Sequence, residues 1–120
     1  MRNRTLVFGV SLKVHRYSNL AINRLNDKGI NVVAFGLKKG NVAGLEIVTE
    51  LLDYDDIDTV TLYVNPLNQK EYYNYIISLK PQRIIFNPGT ENPEFYKILD
   101  ENNITFEVAC TLTLLAINQY

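Results

Sequence analysis

The polar loop that follows the first apolar run of the chain has the residue types of a phosphate site. In LVFGVSLKVHRYSN, residues 6–19, the run ends at Gly9, and Ser11, Arg16 and Ser18 follow before a helical pattern begins. Glycine permits a sharp backbone turn, serine offers a hydroxyl, and the planar guanidinium of arginine matches phosphate oxygens. Ser18 is predicted to cap the next helix, whose first amides attract anions. The alternative is a plain turn in which Arg16 is a solvated charge.

The end of the second apolar run bears on which nucleotide this loop would hold. A NAD site requires three closely spaced glycines and an acidic residue about twenty positions later for the ribose hydroxyls. Here Gly9 is the one glycine before the helix, and the second run ends in Gly36, Leu37, Lys38 and Lys39. Two lysines at the ribose position argue against NAD and favour a ligand with an extra ribose phosphate, namely CoA or NADP. The alternative is a solvent-facing lysine pair.

Two later loops repeat a third pattern, in which asparagine precedes proline. Asn65 and Pro66 follow one apolar run, and Asn87, Pro88 and Gly89 follow the next. Asparagine in such a place caps a helix or binds a ligand, while proline and glycine fix the course of the loop. Capping is the safer interpretation for Asn65, and Asn92 before Pro93 is likewise predicted to cap a helix. At Asn87–Gly89, a turn that presents backbone groups to a ligand and a plain turn remain equally open.

The remaining reactive residues give weaker signals. Cys110 and His15 are the only cysteine and histidine, which excludes an internal disulfide and a zinc site built from these residue types. Cys110 lies near the start of the last predicted helix, where a thiol gains reactivity; a buried, inert cysteine is the commoner case. His15 is interpreted as a loop residue or a ligand contact. The acidic segment 53–58 is interpreted as a solvated turn.

Apolar runs of strand length alternate with stretches of helical spacing along the chain, and these elements would position the loops. The predicted strands are residues 5–8, 31–35, 59–64, 83–86 and 105–108. The predicted helices are residues 18–28, 67–79, 93–102 and 111–118, with a short one at 48–52. Five strand–helix units in strict alternation predict an α/β fold with a five-stranded parallel, doubly wound sheet, Rossmann-like and layered α/β/α. In such sheets ligands bind beyond the carboxyl ends of the strands, where the candidate residues lie.

The composition is that of one globular domain spanning residues 1–120. With 47% hydrophobic and 21% charged residues and a net charge of −1, the chain shows no overall bias toward nucleic acid. Its apolar runs are too short for an export signal or a membrane span. A cytoplasmic protein without a nucleic-acid or membrane partner is expected, and a homodimer fits the general tendency of small soluble proteins.

Taken together, these segments resemble the small bacterial CoA-binding proteins, which are single Rossmann-like domains akin to the CoA-binding domain of the succinyl-CoA synthetase alpha subunit. The resemblance covers nearly the whole chain. It is carried by the order and spacing of GVS with Arg16 and Ser18, of GLKKGNVAG, of VTLYVNP, of IIFNPGTENP and of EVACTL.

The resemblance implies a binding site for CoA. The residues implied to hold its phosphates are Gly9, Ser11, Arg16 and Ser18; Lys38 and its neighbours would flank the nucleotide, and Asn65, Pro66, Asn87, Pro88 and Gly89 would line the cleft. Val10 belongs to the same loop but replaces the small alanine of many relatives. Gly36-Leu37 stands where relatives often have proline.

The leading functional hypothesis is a non-enzymatic module that binds CoA or an acyl-CoA as a carrier, sensor or regulator. The synthetase requires a second domain with a phosphorylated histidine, so its ligase activity is not carried over. The alternative is a small enzyme that uses the same cleft, either NADP-dependent or exchanging disulfides through Cys110. A structural or regulatory interaction protein whose pocket is vestigial is a third interpretation.

Overall fold

The strands form one mostly parallel sheet. The computed structural model describes residues 3–120, over which the sheet has seven strands in the order β3-β4-β2-β1-β5-β6-β7. Their bounds are Arg4–Phe8 (β1), Asn31–Phe35 (β2), Asn41–Val42 (β3), Leu45–Val48 (β4), Ile57–Leu62 (β5), Arg83–Phe86 (β6) and Phe106–Val108 (β7). Every neighbouring pair is parallel except β3 with β4. The predicted α/β, Rossmann-like class is confirmed, whereas the predicted number of five strands is wrong.

The two additional strands form a hairpin in place of the expected helix after β2. Val42 and Leu45 pair across a two-residue turn in which Ala43 and Gly44 have φ values of +52° and +78°. Positive φ at both central residues matches the twist of a tight hairpin. Strand β4 then pairs parallel with β2. The helix predicted at residues 48–52 is therefore wrong, and the strict strand–helix alternation is interrupted here.

Five α-helices are present in the described part of the chain. They are α1 (Tyr17–Asp27), α2 (Pro66–Gln69), α3 (Tyr73–Ser78), α4 (Pro93–Glu101) and α5 (Thr111–Ala116), with a 3₁₀ turn at Lys70–Tyr72. The single helix predicted over 67–79 is thus three short segments. Asn65 and Asn92 cap α2 and α4, each before a first-turn proline, as predicted. None of the helices described has the length and apolarity needed to cross a bilayer.

Two apolar cores fill the space between the sheet and the helices. One core, which includes Phe8 and Phe86, packs against α3 and α4. The other, which includes Val7, packs against α1 and α5. Successive residues of a strand point to opposite faces, so strands covered on both faces are apolar throughout. Both faces of the sheet are thus packed against helices beneath the loops that follow its strands.

The strand order reverses between β1 and β5. From β1 the chain proceeds to β2 and β4 on one side, and it then crosses to β5, β6 and β7 on the other. The loops that leave the carboxyl ends of β1 and β5 therefore run in opposite directions and leave a crevice between them. In open α/β sheets this is the place where ligands bind.

Candidate functional site

A cleft with two adjoining lobes occupies the crevice between β1 and β5. The smaller lobe has a volume of about 550 Å³ and is lined by Gly9, Ser11, His15, Arg16, Tyr17, Ser18, Tyr63 and Pro88. The larger lobe has a volume of about 720 Å³ and is lined by Gly9, Val10, Ser11, Leu12, Lys13, Phe35, Gly36, Leu37, Lys38, Tyr63, Val64, Asn65, Asn68, Glu71 and Tyr72. The two lobes share Gly9, Ser11 and Tyr63. They therefore form one continuous groove across the strand ends.

Close backbone approach at Gly9 shapes the floor of this groove. Gly9 has a φ of +103°, and a Cβ atom placed there would lie 2.9 Å from Val64 Cγ2 and 3.1 Å from the carbonyl carbon of Tyr63. At Gly36 a Cβ would lie 2.7 Å from the carbonyl oxygen of Val10. The loops after β1, β2 and β5 thus meet at distances that only glycine permits at these two positions.

Hydrogen bonds within the loop between β1 and α1 fix its course. The Ser11 amide donates to Ser18 Oγ at 3.0 Å, and the Asn19 side-chain amide donates to the Ser11 carbonyl at 3.0 Å. Ser18 and Asn19 are buried. Ser18 lies inside the first turn of α1 and the N-cap residue is Arg16, so the prediction that Ser18 caps the helix is wrong. Its hydroxyl instead ties the loop back onto the helix.

The start of α1 is open to an anion. Arg16 makes no side-chain capping bond, and the first turn of the helix contains no acidic residue. The first amides of a helix lack partners within it, and the helix dipole favours negative charge at that end. Arg16, Tyr17 and Ser18 all line the smaller lobe. These groups can hold a phosphate or diphosphate.

The larger lobe combines apolar walls with two cations. Phe35, Leu37 and Tyr72 supply flat or branched apolar surface, and Leu37 is 82% exposed. Lys13 and Lys38 line the same lobe. Such a mixture suits a planar base beside an anionic group. Glu71 is the one carboxylate among the residues that line this groove.

The cations at the groove have no acidic partners. Within residues 3–120 the ion pairs are Arg4–Asp56 and Arg83–Glu107. Arg4 and Arg83 are the first residues of β1 and β6, at the end of the sheet opposite the groove. Lys13, Arg16, Lys38 and Lys39 form none of these pairs. Unpaired cations beside an open helix start create a local positive field in a chain of net charge −1.

Ten of the fourteen predicted binding residues line the groove. They are Gly9, Val10, Ser11, Arg16, Ser18, Gly36, Leu37, Lys38, Asn65 and Pro88. The other four, Lys39, Pro66, Asn87 and Gly89, lie beside it without lining it. Lys39 and Gly89 are exposed, and Pro66 is the first residue of α2.

Asn87 connects three elements beneath the groove. Its side-chain amide donates to Thr61 Oγ1 at 2.8 Å and to the Leu62 carbonyl at 2.9 Å, and its Oδ1 accepts the Thr111 amide at 2.9 Å. The residue is 1% exposed. Asn87 therefore joins the ends of β5 and β6 to the start of α5, and it places Pro88 at the smaller lobe.

We expect the Asn87→Ala variant to lose about 2–4 kcal/mol of unfolding free energy, because buried polar groups on three elements lose their partner. Urea denaturation of the variant and the wild type measures this loss. Asn102→Ala is the control, since the exposed Asn102 makes a single side-chain hydrogen bond, to the Ile98 carbonyl. A loss at Asn87 no greater than that at Asn102 would show that Asn87 does not hold these elements together.

Tyr63 is a groove residue that the sequence interpretation missed. It was assigned to the interior of a strand over 59–64, whereas β5 ends at Leu62 and Tyr63 lines both lobes. Its hydroxyl is buried and has no hydrogen-bond partner among the described residues. Burial raises the pKa of Tyr63 to about 12. The phenol is therefore neutral near pH 7 and adds no negative charge against an anion.

Cys110 lies outside both lobes. It is partly exposed and forms the N-cap of α5 without a side-chain capping bond. His15 lines the smaller lobe, so the structure does not show a Cys–His pair in the groove. Among residues 3–120, no cluster of His, Cys, Asp or Glu could hold a metal ion.

Comparisons with known proteins agree with this architecture. The sequence profile of the CoA binding domain matches residues 3–116. A crystal structure described as that of an uncharacterized protein is 46% identical, with 100% of this chain and 99% of that chain covered and a TM-score of 0.95. No curated protein matches the chain.

Two further solved structures share the fold at lower identity. A Thermus thermophilus protein is 22% identical, with 99% of this chain and 91% of that chain covered and a TM-score of 0.84. A hypothetical protein from Pyrococcus horikoshii OT3 is 28% identical, with 93% of this chain and 80% of that chain covered and a TM-score of 0.81.

Proposed function

The chain belongs to the CoA binding domain family, and on that premise we propose that its groove binds CoA or an acyl-CoA. The protein would act as a stand-alone module, a carrier, sensor or regulator, with no catalysis of its own. The observation that carries the proposal is the unpaired positive charge at the strand reversal: Arg16 beside the open start of α1, with Lys13 and Lys38 in the adjoining lobe.

The smaller lobe is proposed to hold the diphosphate of CoA. Its donors are the first amides of α1 and the side chains of Ser11 and Arg16. Each phosphate of a diphosphate carries a negative charge, so several hydrogen-bond donors can bind the group at once. Charge-assisted hydrogen bonds of this kind are about twice as strong as neutral ones.

The larger lobe is proposed to hold the 3′-phosphoadenosine. The adenine ring would lie against the apolar surface of Leu37 and Tyr72, and the 3′-phosphate would meet Lys13 and Lys38. No acidic residue follows β2 to bind two ribose hydroxyls, as NAD requires. The pantetheine arm would then leave the diphosphate past Tyr63 and Pro88.

The distribution of titratable side chains supports a binding role. Glu71 lines only the larger lobe and His15 only the smaller one, so the groove does not present them as an adjacent acid–base pair. The alternative is an NADP-dependent or thiol-redox enzyme. One observation favours the NADP-dependent enzyme: Lys13 and Lys38 line the larger lobe and would bind a 2′-phosphate as well as a 3′-phosphate.

Thermal melting against a panel of nucleotides tests the proposal. A ligand that binds only the folded state raises the melting temperature as its concentration rises. We expect CoA and acetyl-CoA to raise the melting temperature. Dephospho-CoA should raise it less, because the contact of the 3′-phosphate with Lys13 and Lys38 is lost. NAD and ATP should also raise it less than CoA does. A shift with NADP alone would support the oxidoreductase, and no shift with any ligand would contradict nucleotide binding.

A further inference from the structure

We propose that His15 is an additional phosphate-binding residue of the smaller lobe, and that its protonation makes the affinity of this lobe for a diphosphate rise as the pH falls from 7.5 to 5.5. The inference rests on the proposed function, since it assigns a regulatory property to the same groove. It concerns a residue that lies one position before Arg16 and lines the lobe beside it.

The position of His15 is set by the backbone around it. The Ser11 amide is tied to Ser18, and the Arg16 amide donates to the Lys13 carbonyl at 3.1 Å, which closes a turn around His15. The imidazole itself is exposed and makes no hydrogen bond or ion pair with the residues described. Both of its nitrogens are thus available to a ligand in the lobe.

The charged and titratable groups around His15 leave the ligand as its only anionic partner in the lobe. Its own loop supplies Lys13 and Arg16, α1 supplies Tyr17, and the end of β5 supplies the neutral phenol of Tyr63. Along the chain, the first carboxylate after Pro88 is that of Glu91, whose Oε1 accepts the Gly89 amide at 2.8 Å. None of the residues that line the smaller lobe is acidic.

The sign of the pH effect follows from this arrangement. Without ligand, the lobe presents cations and the positive end of α1 to His15, and none of its lining residues is acidic. A bound diphosphate supplies the negative charge with which a protonated imidazole pairs, so binding takes up a proton. Histidine is the side chain whose ordinary titration falls between pH 5 and 8. Affinity for a diphosphate accordingly increases as pH falls through this range.

Dephospho-CoA separates this effect from the chemistry of the ligand. The 3′-phosphate of CoA is a monoester with a second ionisation near pH 6, and its gain of charge strengthens binding as pH rises. The diphosphate of dephospho-CoA is fully ionised across the whole range. A pH effect seen with dephospho-CoA therefore belongs to the protein.

Isothermal titration calorimetry with dephospho-CoA from pH 5.5 to 7.5 tests the inference. The wild type should bind about two- to five-fold more tightly at pH 5.5, as expected for an exposed charge pair. His15→Gln should remove this dependence, whereas Lys97→Gln, which removes a positive charge on the exposed face of α4, should retain it.

The outcomes distinguish the inference from the function on which it rests. Binding that is equally tight at all pH values, or a pH dependence that persists in His15→Gln, would overturn the role of His15 and leave CoA binding intact. If neither CoA nor dephospho-CoA binds at any pH, the proposed function itself fails. His15→Lys carries a permanent positive charge at this position. If its dissociation constant stays low from pH 5.5 to 7.5, the charge of residue 15 is the cause of the pH effect.

Discussion

Gly9→Ala is expected to reduce the unfolding free energy by roughly 2–6 kcal/mol. The backbone at Gly9 has a φ of +103°, which costs about 1–3 kcal/mol for a residue with a side chain. The new methyl group would also lie 2.9 Å from Val64 Cγ2 and 3.1 Å from the Tyr63 backbone, and relief of such crowding costs a further 1–3 kcal/mol, roughly. Urea denaturation monitored by circular dichroism measures the loss.

Gly29→Ala is a matched control for this prediction. Gly29 follows Lys28, the C-cap of α1, with a φ of +73°, and a Cβ there meets nothing within 4 Å. The control therefore carries backbone strain without crowding and should cost about 1–2 kcal/mol. Equal losses in the two variants would contradict close approach between the loops after β1 and β5. A larger loss at Gly9 would support it, and CoA binding should weaken in that variant alone.

Arg16→Ala is expected to weaken CoA binding by about 1–3 kcal/mol, a change of roughly 5- to 150-fold in the dissociation constant. The guanidinium lines the smaller lobe and has no acidic partner in the described structure, so its charge is free for the ligand. Calorimetric titration of CoA into the variant and the wild type measures the change.

Two further variants make this result specific. Arg24→Ala removes an equal charge from the exposed last turn of the same helix, away from the groove, and should leave the dissociation constant nearly unchanged. Arg16→Lys retains the charge but loses the planar fork of donors, and it should show an intermediate loss. Equal effects at Arg16 and Arg24 would mean that net charge alone governs binding, and the phosphate loop would then be misassigned.

Much of the fold follows from local patterns in the sequence. The apolar strands at 31–35 and 83–86 were predicted with their observed bounds. Asn65 and Asn92 before proline predicted two helix starts correctly, because capping and first-turn proline are local chemistry.

The hairpin of β3 and β4 could not be predicted in the same way. Its turn places Ala43 at a φ of +52°, a conformation for which alanine carries no sequence signal, and β3 has two residues. Gly44 was the available clue, since glycine between short apolar runs is typical of a hairpin turn. The pairing of β4 with β2 joins residues that are distant along the chain, and it extends the sheet on the side of β2 away from β1.

The site was predictable to the extent that it depends on position along the chain. Residues directly after strands reach the groove, as Ser11, Arg16 and Lys38 do. Tyr63 and Tyr72 were missed because their part in the groove depends on where β5 ends and on how the helical segment from 66 to 78 breaks. Serine is a typical capping residue, but the hydroxyl of Ser18 instead accepts a hydrogen bond from the Ser11 amide.

The central claim is that this groove binds CoA through its phosphates, and one titration tests it most directly. CoA is titrated calorimetrically into the wild-type protein and into Arg16→Ala under identical conditions. Saturable binding to the wild type with one site per chain, together with a dissociation constant roughly 5- to 150-fold higher in the variant, is the predicted result. Absence of saturable heat with the wild type, or equal affinity in both proteins, would contradict the claim.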